Sequence, residues 1–110
     1  MPGVPAPLAW SVLDTKADLS AAKSVKLNYS FTVPAGAKAM KFATTANNGD
    51  ADLYVRFGSA PTLQSYTCRS AGPSSNETCV IKPAQSGTYH VMINAYTSYS
   101  NLALTVSSAD

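Results

Sequence analysis

The sequence predicts an all-β protein, an antiparallel β-sandwich of jelly-roll or immunoglobulin-like type with two packed sheets. Apolar and polar residues alternate with a period of two over several short segments, as in strands that bury one face. Gly, Pro and Asn separate these segments with turn chemistry. This clean alternation favours antiparallel sheets, because parallel strands are commonly buried on both faces. A length of 110 residues suits one domain core.

The first half of the chain carries three of these segments. Every second residue is apolar over Ser24–Val33, and Pro34–Gly36 ends the segment. Alternation resumes over Lys38–Ala46 and again over Ala51–Phe57. Between them lies Asn47–Asp50, whose Asn-Gly pair readily adopts positive φ, so we predict a hairpin turn there.

The second half carries three more predicted strands, with the strongest alternation in the middle one. They are Glu77–Lys82, Thr88–Tyr96 and Asn101–Ser107. In the middle strand we expect one face to be the core and the other to face solvent. The core set is Tyr89, Val91 and Ile93, and the outward set is His90, Met92, Asn94 and Tyr96.

The N-terminal region is less regular. Residues 1–7 are Pro-rich and lack the basic start and apolar stretch of a signal peptide. We therefore predict a stiff linker over 1–7 and a single domain over 8–110. Residues 8–20 fit a further strand that contains Trp10 and Val12, and a helical turn near 16–22 is the alternative.

Composition excludes several classes of function. The net charge is only +2 and the lysines are scattered, so no nucleic-acid partner is expected. No apolar run approaches the roughly 20 residues that span a bilayer. One His with two Cys does not complete a zinc site. We predict a monomer.

The two cysteines predict a disulfide. Cys68 and Cys79 flank a polar loop, Arg69–Thr78, and neither belongs to a Cys-x-x-Cys pair. A bridge that closes this short loop contributes on the order of 3 kcal/mol. It also predicts an oxidising, secreted location. Two free buried thiols in a cytosolic protein are the alternative, which a long polar loop disfavours.

Hard oxygen ligands cluster near the Asn-Gly turn. Asp50 and Asp52, with Asn47 and Asn48 beside them, are candidate calcium ligands, since calcium binds 6–8 oxygens. The spacing is not that of an EF-hand. Turn formation by these residues is the favoured interpretation, and calcium is the alternative.

Aromatic side chains predict a binding surface. Alternation places Tyr54 and Tyr96 away from the core, and Tyr99 falls in a predicted loop. Rings of this kind stack on sugar or proline faces, while Arg56 and Asn94 supply polar contacts. Cross-strand pairing that stabilises the sheet is the alternative for these tyrosines.

A set of ordered motifs from about Ser24 to the end resembles the bacterial pre-peptidase C-terminal domain. The longest motif is Gly49–Gly58, and the others follow it in order. They are Ser59–Thr62, Ser65–Arg69, Asn76–Cys79, Gly87–Met92 and Tyr96–Ser100.

The resemblance implies a non-catalytic domain at the C-terminus of a secreted bacterial protease. Implied roles are help in export or maturation, and binding of insoluble extracellular material such as collagen or chitin. The implied partners are the protease catalytic domain or the extracellular polymer. A stand-alone carbohydrate-binding or adhesin-type module is the runner-up. A small hydrolase using Asp50, Asp52 and Glu77 is the weakest hypothesis, because a filled sandwich offers no obvious deep cleft.

Overall fold

A computed structural model describes residues 9–109, so the predicted linker 1–7 lies outside the described residues. The described chain forms eight strands in two four-stranded sheets, with every strand pair antiparallel. The strands are β1 Trp10–Ala21, β2 Lys26–Thr32, β3 Ala39–Thr45, β4 Asp50–Phe57, β5 Cys68–Ser70, β6 Glu77–Ile81, β7 Thr88–Thr97 and β8 Tyr99–Ala109. The predicted antiparallel sandwich is confirmed. Residues 9–109 form no helix that is long and apolar enough to cross a membrane.

The chain changes sheets at almost every connection. The first sheet has the order β1-β8-β3-β6, and the second has the order β2-β7-β4-β5. Among the eight strands of residues 9–109, only β4 and β5 are consecutive in the chain and also adjacent in a sheet. The less regular N-terminal region is a strand, β1, with register shifts against β8, so the helical alternative is wrong.

The core lies between the two sheets, where the predicted inward residues of β7 are found. Tyr89, Val91 and Ile93 are all completely buried. The Tyr89 ring packs on Phe42 of the opposite sheet, with centroids 5.9 Å apart, and on Phe57 at 4.9 Å. Alternation along β7 therefore identified the core face correctly.

The predicted hairpin at Asn47–Asp50 is wrong, because this turn joins β3 and β4, which lie in different sheets. The turn chemistry itself is present, since Gly49 has φ +66°. Asn48 fastens the turn to the start of β8. Its Oδ1 accepts from the Ser100 amide at 2.8 Å, and its Nδ2 donates to the Ser100 carbonyl at 2.9 Å. A Cβ on Gly49 would overlap the Ser98 carbonyl and Tyr99.

The Cys68–Cys79 disulfide is confirmed, and it connects the two sheets. Cys68 lies on edge strand β5 and Cys79 on edge strand β6, with Cα atoms 6.1 Å apart. Cys68 pairs with Val55 and Cys79 with Phe42, both of which are core residues, so both sulfurs face inward. The bridge thus closes one edge of the sandwich.

We expect Ile93→Ala to lower the free energy of unfolding by about 2–5 kcal/mol, because it leaves a cavity in a fully buried site. Val80→Ala is the matched control. Val80 is 51% exposed, and its loss should change stability by less than about 0.5 kcal/mol. Denaturant titration measures both. Equal midpoints for Ile93→Ala and wild type would contradict the core assignment.

We expect natively purified protein to show no alkylation of Cys68 or Cys79 when reductant is omitted, because both sulfurs are in the bridge. Mass measurement after iodoacetamide treatment in denaturant checks this. Addition of two carbamidomethyl groups without reductant would contradict the pairing. Addition of two such groups only after reduction serves as the positive control.

Candidate functional site

The pairing of β4 with β7 brings several predicted outward residues together. Asp52 lies opposite Asn94, and Tyr54 lies opposite Met92. On its other side, Tyr54 lies opposite Arg69 of β5. Residues that are directly opposite in an antiparallel pair point to the same face. This outer face of the second sheet is therefore where the predicted surface is assembled.

A groove of about 540 Å³ lies on this face. We call it the outer groove. Strands β4, β5 and β7 supply its charged and aromatic lining, and the connections around β5 supply the remainder. Its lining residues are Asp50, Asp52, Tyr54, Leu63, Arg69, Ala71, Gly72, Pro73, Asn94 and Tyr96. The sequence pattern predicts a filled sandwich without a deep cleft, so this groove is known from the structure alone.

Tyr96 is the most accessible aromatic residue of the outer groove, with 63% of its surface exposed. The register between β4 and β7 shifts beside it: Ala51 pairs with Ala95, whereas Asp50 pairs with Thr97. Tyr96 therefore has no opposite residue on β4, as occurs at a β-bulge. Tyr96 therefore does not form a cross-strand pair with a residue of β4, which was the alternative interpretation of this side chain.

Tyr54 has a different environment from the exposed position that alternation suggested. It faces outward but is only 4% exposed. The Tyr66 ring meets it edge-on at 5.6 Å, and the Arg69 guanidinium lies 5.8 Å from its centroid. The connection between β4 and β5 is held against β4, since the Thr67 amide donates to the Val55 carbonyl at 2.7 Å. Tyr54 thus lines the groove from beneath this connection.

Two predicted ligand-binding residues lie elsewhere. Arg56 is opposite His90, outside the groove lining, and Nη1 donates to the Ala60 carbonyl at 3.4 Å. Tyr99 is in β8 rather than in a loop and is only 4% exposed, so its prediction as a surface contact is wrong. It belongs to the core cluster, where burial raises the pKa of its hydroxyl to about 12.

Two carboxylates lie at the base of the outer groove. Asp52 is only 8% exposed. Burial, followed by the nearby charges of Asp50 and Glu77, raises the pKa of Asp52 to about 6, and Arg69 offsets only part of this effect. Asp50 and Asp52 stand two residues apart on β4, and both line the groove.

Asn48 Oδ1, one of the oxygens near the predicted calcium ligands, already accepts a hydrogen bond from the Ser100 amide, and Asn48 Nδ2 donates to the Ser100 carbonyl. Within residues 9–109, no group of three or more His, Cys, Asp or Glu side chains is arranged to hold a metal ion. Calcium at Asp50 and Asp52 stays a prediction, and the other oxygens would have to come from amides or water.

Sequence reasoning missed Arg69 and the 71–73 segment, which complete the outer groove. Arg69 follows Cys68, whose sulfur faces the core. Because neighbouring residues of a strand point to opposite faces, the predicted disulfide implies that Arg69 faces outward. The outward direction of Arg69 could therefore have been predicted from the sequence. The approach of residues 71–73 could not be predicted in this way, because it depends on a hydrogen bond of 2.6 Å that the Gly72 backbone amide donates to the side-chain Oε2 of Glu77.

Comparison with known proteins identifies relatives over most of the chain. The model of the bacterial pre-peptidase C-terminal domain matches residues 27–95. An extracellular protease of Xanthomonas campestris pv. campestris is 49% identical over 89 residues, which are 81% of this chain and 15% of that protein. A virulence metalloprotease of Vibrio anguillarum is 41% identical over 86 residues, which are 78% of this chain and 14% of that protein.

Solved structures also include relatives of this fold. The solution structure of "vEP C-ter 100" superposes with a TM-score of 0.66 at 36% identity, covering 82% of this chain and 88% of that one. The chain therefore spans about one seventh of the two protease relatives, but nearly all of this separately determined structure.

We expect Asp52→Asn to stabilise the protein at neutral pH. The folded pKa of Asp52, about 6, lies above its ordinary value of 3.8. The folded state therefore binds the proton more tightly, and Asp52's contribution to stability is lost as the pH rises from about 4 to 6. This shift corresponds to at most about 3 kcal/mol.

Denaturant titrations of wild type and Asp52→Asn between pH 4 and pH 8 measure this difference. The stability advantage of the variant should grow from pH 4 to pH 6 and then level off. Parallel stability curves for the two proteins across this range would contradict the assignment.

Proposed function

The chain belongs to the bacterial pre-peptidase C-terminal domain family, and we propose that it serves an exported protease as a non-catalytic accessory domain that holds an extracellular polymer. The polymer contacts the outer groove. Collagen and chitin are the polymers to test first. Export is consistent with the Cys68–Cys79 disulfide, because such bonds persist in oxidising compartments.

The observation that carries this proposal is the position of Tyr96. Its ring is largely exposed, unlike the other aromatic side chain of the groove, Tyr54. A large exposed ring beside a polar cavity provides stacking area together with hydrogen-bonding groups. Tyrosine is also among the residues that most often dominate binding energy at interfaces.

The groove chemistry supports binding rather than catalysis. Its ten described lining residues include no His, Ser or Cys, so they offer no nucleophile with a neighbouring imidazole base. The two-carboxylate hydrolase hypothesis requires two carboxyl groups that reach the substrate. Asp50 Oδ1 is buried, and Asp52 is only 8% exposed, so the two carboxyl groups do not both reach a substrate.

We expect Tyr96→Ala to weaken retention on the bound polymer by about tenfold, or about 1.4 kcal/mol, because it removes the stacking ring. The measurement is co-sedimentation of the chain with insoluble collagen, chitin and cellulose over a range of polymer concentrations. Val80→Ala is the control, since Val80 is exposed on a strand of the other sheet and should not affect retention.

Equal retention of wild type and Tyr96→Ala would refute the groove as the polymer site. Lack of wild-type retention on all three polymers would refute polymer holding, and would direct attention to the protease catalytic domain as the partner. Stability of each variant, measured by denaturant titration, separates loss of binding from loss of folding.

A further inference from the structure

We infer that the outer groove accepts a positively charged side chain, the ammonium of Lys or the guanidinium of Arg, carried by a polypeptide. This inference deepens the proposed function, because it names the chemistry of the polymer. It distinguishes protein polymers such as collagen from neutral polysaccharides such as cellulose. The argument starts from the charges around the groove.

Negative charge exceeds positive charge at this site. Asp50 and Asp52 line the groove, and Glu77 is close enough to influence the charge of Asp52. Among the ten described lining residues, Arg69 is the one cation. The chain as a whole carries a net charge of +2, so the groove is an acidic site on a weakly basic protein. A cationic ligand would offset the excess negative charge.

Hydrogen-bond acceptors at the base also lack donors. More than nine-tenths of Asp52 is buried, and the side-chain hydrogen bonds of residues 9–109 include none to its carboxylate. Asp50 Oδ1 and Asn94 Oδ1 are buried without a partner among residues 9–109. A buried acceptor without a donor is unfavourable, because it has lost its hydrogen bonds to water. These two oxygens are enclosed, but Asp52 lines the groove, so a donor bound there would hydrogen-bond with the Asp52 carboxylate.

The surroundings of Asp52 suit the stem of a long cationic side chain. Tyr96 is 63% exposed and Leu63 is 40% exposed, and both line the same groove. Lys and Arg pack their methylene groups on apolar surface while the charged end makes polar contacts. A cation near a tyrosine face gains further attraction. The groove thus pairs an acidic base with an apolar rim.

A bare metal ion fits the same acidic base less well. Calcium requires 6–8 oxygen ligands, and the described residues provide no cluster of three or more metal-ligating side chains. A cavity of about 540 Å³ is also far larger than an ion. An ammonium group brings three donors, and a guanidinium brings five, to a site that lacks donors.

The test is an NMR titration of the 110-residue chain with n-butylammonium and N-methylguanidinium, the terminal groups of Lys and Arg side chains. Sodium chloride at equal ionic strength and n-butanol are the matched ligand controls. We expect concentration-dependent shifts of the backbone amides of Asp52, Asn94 and Tyr96 with the two cations only. Equal shifts with sodium chloride or n-butanol would overturn the inference.

Two variants locate the effect. Asp52→Asn should reduce the shifts at least fivefold, although this variant is expected to be more stable at neutral pH, so unfolding does not explain the loss. Arg56→Gln removes a charge on the same face but outside the groove, and should leave the shifts unchanged. Unchanged shifts in Asp52→Asn would overturn the inference.

Binding should also weaken as the pH falls below about 6, because Asp52 then takes up a proton and loses its charge. The groups around it are Asp50 on β4, Arg69 on β5 and Glu77 on β6, and Lys26 of β2 lies beyond Asn94. Titrations at pH 5 and pH 7.5 measure the difference in affinity for n-butylammonium. Equal affinities at the two pH values would count against Asp52 as the contact.

Further titrations separate this inference from the proposed function. Calcium chloride or glucosamine that shifts the same amides at lower concentration than n-butylammonium would assign the site to a metal ion or an amino sugar instead. Suppose that retention on collagen is lost in Tyr96→Ala but unchanged in Asp52→Asn. That result would support polymer binding at the outer groove and refute the inference that the groove binds a cationic side chain. Cation-specific shifts without retention on any polymer would support the cation site and refute the proposed polymer binding.

Discussion

The register between β4 and β7 is the constraint on which both the core and the outer groove depend. On the inner face it opposes Leu53 to Ile93, both completely buried. One residue earlier on β4, the same pairing opposes Asp52 to Asn94 on the outer face. Because side chains alternate along a strand, a slip of one residue would exchange these faces. Burial of the apolar set therefore determines where the polar groups of the groove lie.

The disulfide and the connections beside it convert a flat sheet face into a groove. Cys68 and Cys79 join edge strands of opposite sheets, which holds β5 beside β6. The turn after β5 is then fastened when the Gly72 amide donates to Glu77. The long connection before β5 supplies Leu63, so the groove is bounded on both sides of β5. Its shape thus depends on the disulfide and on the two connections that flank β5.

The acidic base of the groove is unfavourable for stability by itself. Asp52 is buried beside Asp50 and near Glu77, and Arg69 compensates only part of the repulsion. Replacement by a neutral residue would relieve this cost at neutral pH. Strain of this kind is commonly found at binding sites, where a ligand offsets it. The proposed cationic ligand would offset the repulsion between these carboxylates when it binds.

Local patterns in the sequence sufficed for six of the eight described strands, the core face of β7 and the disulfide, because alternation and paired cysteines are local properties; they left β1 open and did not predict β5. They also placed Tyr96 and Asn94 outward. They could not show that the Asn-Gly turn crosses between sheets, since a turn residue specifies backbone dihedrals rather than the strand it leads to. Nor could they show that Tyr99 is buried. Its position depends on which sheet β8 joins, and only packing of the two sheets decides that.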